Sequence, residues 1–166
     1  MAFNDIIYLP ACGGEIDAAG VESGAFAHPS YPGDYKSYQR CEYIIRTRPN
    51  SRVRLDFDRF DLEGASDCRY DFIEIRDGER GTDEVIGKYC GKRNLTNIVS
   101  KSNVLFVKFV SDSTTEFKGF LAKWRRVSPF ATTEKPGKCS LIVSCLLIDA
   151  TCCGIRQTRE SFIGKM

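Results

Sequence analysis

The chain has 166 residues, 42% of them apolar, and a formal net charge of +2. This length suits one domain with a tail, and the apolar fraction supports a core. A nearly neutral chain with no aromatic-interleaved basic patch excludes a strong field for nucleic acid or membrane. A single histidine and no His-Glu-x-x-His pattern leave no protease-like catalytic cluster, so the chain reads as non-enzymatic.

Residues 1 to 11 show no periodicity and read as a lead-in, with Ile6 to Leu9 offering a possible edge strand. They lack the basic start and long apolar core of a signal peptide. Cys12 to Gly20 is glycine-rich and turn-like. Gly24 to Ala27 predicts a short strand running into His28-Pro29. His28 reads as a surface or packing residue, since it precedes a proline in a turn segment. Tyr31-Pro32-Gly33-Asp34-Tyr35 is a turn cluster.

Cys41 to Thr47 predicts the next strand, and Pro49-Asn50 turns it into a strand over Arg52 to Phe60. There Val53, Leu55 and Phe57 alternate with polar neighbours, the period of a half-buried strand. A loop rich in carboxylates follows, and Phe72 to Arg76 resumes the alternation before an Asp77-Gly78 turn. Glu63, Asp67 and Asp71 therefore sit on or beside a loop between two strands. Crowded carboxylates repel one another; solvent or a hard cation such as calcium, which takes oxygen ligands, would relieve that.

Val85 to Tyr89 leads to Cys90, and Asn94-Leu95-Thr96 is an N-glycosylation sequon at Asn94. Leu105, Val107 and Phe109 mark a core strand that delivers Ser111-Asp112 to a second acidic turn. Gly119 to Trp124 closes the domain, with Phe120, Ala122 and Trp124 on one face. Residues 127 to 138 read as a linker and 139 to 166 as a tail or the truncated start of a further domain. The apolar run after Cys139 is too short to span a bilayer.

Eight cysteines are many for this length. With no Cys-x-x-Cys spacing for zinc, they point to disulfides in an oxidising compartment. Disulfides without a visible signal peptide make the chain a fragment, an isoform or an incomplete gene model of a secreted or membrane-anchored parent. No pairing is argued for Cys139, Cys145, Cys152 and Cys153.

Residues 12 to 126, as a set, resemble a CUB domain. The marks are Cys12-Gly13-Gly14, His28-Pro29-Ser30-Tyr31-Pro32-Gly33-Asp34-Tyr35, Cys41-Glu42-Tyr43 and Phe60-Asp61-Leu62-Glu63. They continue through Cys68-Arg69-Tyr70-Asp71-Phe72-Ile73-Glu74-Ile75, Tyr89-Cys90-Gly91, Phe109-Val110-Ser111-Asp112 and Gly119-Phe120. The resemblance implies an all-β, jelly-roll-like sandwich of two antiparallel sheets. It implies disulfides Cys12–Cys41 and Cys68–Cys90, each contributing roughly 3 to 4 kcal/mol in the chain-entropy model.

Calcium-binding members of the family imply a ligand set position by position. Glu63, Asp71 and Asp112 match the acidic ligands, Thr114 the supplier of a backbone oxygen, and Tyr35 the tyrosine whose hydroxyl steadies the glutamate. Thr115 falls where several members carry asparagine. The function implied is a calcium-dependent extracellular interaction module that presents carboxylates to a lysine or arginine of a protein partner. The run Cys68 to Gly78 is similar to the first CUB domain of neuropilin-and-tolloid-like proteins, which implies an ionotropic glutamate receptor as partner. The alternatives are a non-catalytic accessory domain of a tolloid-like or complement-type protease, and a calcium-independent spacer.

Overall fold

A computed structural model describes residues 12–128. The lead-in, the tail with its four cysteines and nearly all of the linker lie outside the described residues. Among the described residues nine strands form, β1 (Gly14–Asp17), β2 (Ser23–Ala27), β3 (Arg40–Arg46), β4 (Arg52–Asp61), β5 (Phe72–Asp77), β6 (Glu84–Tyr89), β7 (Ile98–Val99), β8 (Val104–Val110) and β9 (Gly119–Val127). One sheet has the order β1-β3-β8-β5-β6 and the other β2-β9-β4-β7. No helix among the described residues is long and apolar enough to cross a membrane.

The alternation read from the sequence becomes burial. Tyr43 and Ile45 of β3, Val53 and Leu55 of β4, Ile73 and Ile75 of β5, and Leu105, Val107 and Phe109 of β8 are all fully buried. Phe120 lies at the centre of the aromatic packing, with ring centroids 5.4 Å from Phe109, 6.0 Å from Phe26 and 6.3 Å from Tyr43. Such tilted and edge-to-face pairs add to the stabilisation from area alone.

Two features depart from the sequence reading. Cys12 to Gly20 is not all turn: Gly14–Asp17 forms β1, which buries Ile16 and pairs with β3 in parallel. The sheets are therefore antiparallel except at this edge. The close approach requires a glycine, because a Cβ on Gly13 would stand 2.4 Å from the Glu42 carbonyl oxygen. The two-residue β7 pairs with β4 and was not anticipated, being too short to show periodicity. Of the two roles the sequence allowed His28, surface or packing, burial selects packing.

A bulge positions the next segment. Phe57 pairs with Ala122 and Arg59 with Leu121, leaving Asp58 as an extra residue in β4. Strict alternation would have turned Arg59 inward. The slip instead buries Phe60 and Leu62 and leaves Glu63 partly exposed at the strand's end.

Candidate metal centre

Three chain segments reach the same pole of the sandwich. β4 ends just before Glu63, β5 starts just after Asp71, and β8 ends just before Asp112. The antiparallel register sets Phe72 opposite Val110, so Asp71 and Asp112 are neighbours across the ladder. The Cys68–Cys90 disulfide, with a Cα–Cα distance of 5.4 Å, and a hydrogen bond from Gly91 N–H to the Glu63 carbonyl (3.1 Å) tether the intervening loop. Cys12–Cys41 also forms, with a Cα–Cα distance of 4.7 Å.

Carboxylate oxygens of Glu63, Asp71 and Asp112 lie within 4.8 Å of one another. Asp71 is fully buried. It accepts hydrogen bonds from the Asp112 backbone N–H (2.7 Å) and the Tyr35 hydroxyl. Asp112 Oδ1 accepts from Thr114 N–H at 2.8 Å and lies 3.2 Å from the Thr114 hydroxyl. These contacts use the amide and hydroxyl donors of Thr114.

Burial pushes the Glu63 carboxyl above its ordinary range, and the neighbouring Asp71 and Asp112 charges push it the same way. Asp71 is also pushed up, by burial first and by Asp112, against the opposing hydrogen bonds from Tyr35 and the Asp112 amide. The ionised forms are thus desolvated and mutually repelled.

Tyr35 meets Glu63 at the backbone amide. Its hydroxyl donates to Asp71, accepts from Glu63 N–H at 3.2 Å and lies 3.3 Å from the Thr115 carbonyl. The phenol therefore holds Glu63 through its main chain. Burial and the Asp71 hydrogen bond raise the Tyr35 pKa, so the hydroxyl stays protonated and remains a donor.

The donor set fits calcium. All three side chains offer hard oxygen ligands, and Glu63 Oε2 is buried without a hydrogen-bond partner among the described residues. A buried, unpartnered carboxylate oxygen is costly unless another positive group meets it.

A family model described as the CUB domain matches residues 12–124. The chain belongs to the CUB domain family. Mouse neuropilin-2 is 37% identical over 142 residues, which cover 77% of this chain and 15% of that protein. The full extracellular region of zebrafish Gpr126/Adgrg6 superposes with a TM-score of 0.62 and 31% identity, covering 72% of this chain and 15% of that one. The MASP-1 CUB2 domain, whose crystal structure holds Ca2+, superposes with a TM-score of 0.56 and 30% identity. It covers 63% of this chain and 93% of its own. This CUB domain thus spans only a small part of its longer relatives and most of the isolated CUB2 domain.

Proposed function

We propose that the chain is a calcium-dependent extracellular protein-interaction module, not itself catalytic. The observation that carries this reading is the unpartnered Glu63 Oε2, buried within a trio of convergent carboxylates. The calcium-bound CUB2 relative and the extracellular relative support it.

In this reading Glu63, Asp71 and Asp112 hold the ion, with a backbone oxygen from Thr114. Calcium, when bound, supplies the positive charge that lets three carboxylates share one small volume. Tyr35 holds Asp71 and the Glu63 backbone in register, and Asp112 is fixed to Asp71 through its own amide. The carboxylate oxygens that remain accessible receive the lysine or arginine of a protein partner. Such a contact is small and polar, so strong attachment requires several modules acting together. An ionotropic glutamate receptor as that partner rests on the subfamily resemblance alone. Asn94, exposed in the segment between β6 and β7, is assigned an N-linked glycan, which a mobility shift on glycosidase treatment tests.

The deciding experiment is thermal unfolding of the oxidised full chain in EDTA and in calcium, for wild type and Asp112→Ala. Extracellular sites hold calcium with dissociation constants of about 10⁻⁴ to 10⁻³ M, so about 10 mM calcium should add roughly 1.4 to 2.7 kcal/mol. A rise in melting temperature of several degrees in wild type, absent in Asp112→Ala, is expected. An unchanged wild-type melting temperature would leave the trio a solvated acidic edge.

A further inference from the structure

Four large apolar side chains are exposed among the described residues: Val21, Tyr38, Tyr70 and Val85. The two aromatic ones belong to the carboxylate pole. Tyr70 directly precedes Asp71, and the Arg69 guanidinium covers its ring at 5.0 Å from the centroid. Tyr38 is 79% exposed, and its side chain has no ring or hydrogen-bond partner among the described residues.

The backbone holds Tyr38 in place. Its N–H donates to the Asp112 carbonyl at 2.8 Å. The adjoining Gln39 N–H donates to Ser111 Oγ at 2.9 Å, and that hydroxyl donates to the Lys36 carbonyl at 2.7 Å. Ser111 N–H returns to the Gln39 carbonyl at 2.9 Å. Residues 36 to 39 are therefore laced to the segment that presents Asp112. Tyr38 itself sits at φ +59°, a left-handed conformation disfavoured for a bulky L side chain.

A large exposed ring, carried on tethered backbone whose conformation disfavours it, contributes little to the fold. It has the character of an interface anchor: an aromatic of low conformational entropy beside a small set of charged groups. The adjoining carboxylates select a cation, and the ring selects apolar surface.

We propose that Tyr38 is a specificity-determining partner contact. It reads the side chain next to the basic residue that approaches the carboxylates, so the preferred partner segment carries a lysine or arginine flanked by a large apolar residue. This rests on the reading of the trio as a calcium site that receives a cation.

The test titrates the isotope-labelled full chain, in calcium and in EDTA, with two peptides followed by nuclear magnetic resonance. One is acetyl-Gly-Lys-Gly-amide and the other acetyl-Phe-Lys-Phe-amide. In calcium, wild type should bind the phenylalanine peptide about threefold to tenfold more tightly, the range of an aromatic contact. Tyr38→Gly, which relieves the left-handed strain, should lose that preference while binding the glycine peptide as before. Tyr38→Phe should keep it. A Tyr38→Gly variant that retains the preference, or a wild type that has none, overturns the role of Tyr38 alone. If wild type binds neither peptide in calcium, or binds the glycine peptide equally in EDTA, the cation-receiving reading itself fails and this inference with it.

Discussion

Tyr35 and Asp71, separated by 36 positions in sequence, are joined by a buried hydrogen bond from phenol to carboxylate. The same oxygen accepts from the Glu63 amide, so one side chain ties two of the three acidic positions together. Its ring is part of the core, 5.4 Å from Phe109 in an edge-to-face contact. Core packing and site geometry are thus two ends of a single residue.

Tyr35→Phe separates these roles. The ring contacts survive, but Asp71 loses a donor and the Glu63 N–H loses its acceptor. Leaving buried polar groups unpaired costs about 1 to 3 kcal/mol each. Urea unfolding should show a loss of about 2 kcal/mol in EDTA. Calcium titration should show a weaker affinity, since Glu63 and Asp71 are no longer held in register. A variant with wild-type stability and calcium affinity would show that the phenol orients neither residue.

Thr115 adopts φ +48°, a left-handed conformation that is unfavourable for a β-branched residue. Asparagine tolerates this region better. Thr115→Asn should raise unfolding stability by about 1 kcal/mol. Calcium affinity should hold or improve. A loss of stability would mean that contacts of the threonine side chain outweigh the backbone relief.

His28 gives the fold a pH dependence. Its Nε2–H donates to the Lys118 carbonyl at 3.2 Å, while Nδ1 is buried without a partner. Burial lowers its pKa, the Arg59 charge acts the same way, and the Lys118 hydrogen bond and Asp34 oppose them. The unfolded chain takes up a proton near pH 6.5, whereas the folded one resists until lower pH. Stability is therefore full above about 6.5 and falls as pH drops through the window below it, by at most about 1.4 kcal/mol per pH unit. Glu63 and Asp71, whose folded-state pKa values are raised, oppose this trend in EDTA. The slope must be compared with that of His28→Gln, measured by urea unfolding between pH 7.5 and 5. A steeper fall in wild type is expected; equal slopes would sink the assignment.

Gly119 sits at φ +70°, and a Cβ there would stand 2.3 Å from His28 Cδ2. Neither the backbone nor the buried imidazole has room to yield. Gly119→Ala should destabilise by about 2 kcal/mol or more, combining left-handed strain with overpacking. Thermal unfolding would check this, and a change under about 0.5 kcal/mol would show that His28 can relocate freely.

The long strands were legible because one buried face imposes period two over many residues. β1 was not, because one glycine and one buried isoleucine in four residues leave no pattern; its pairing depends on β3. The bulge at Asp58 was hidden for a related reason. Phe57 and Phe60 are both apolar, and only pairing with β9 shows that alternation slips between them. Spacing could place Glu63 and Asp71 on one loop but could not bring Asp112 beside them. That expectation came from the resemblance, and the register of β5 on β8 provides its physical cause. The resemblance linked Tyr35 to Glu63, but side-chain identity does not reveal that the contact uses the Glu63 amide, nor that the phenol also donates to Asp71. Tyr38 carried no signal at all, since an isolated aromatic in a polar loop matches no periodicity.

The direction of β9 has a practical consequence. Gly119 pairs with Asp61 at the carboxylate pole, and Val127 pairs with Arg52 at the other. Eight residue steps of strand place these ends about 26 Å apart. A sandwich tethered to a sensor surface through the chain leaving Val127 would present its carboxylates outward, whereas coupling through Lys36 or Lys118 would mask them.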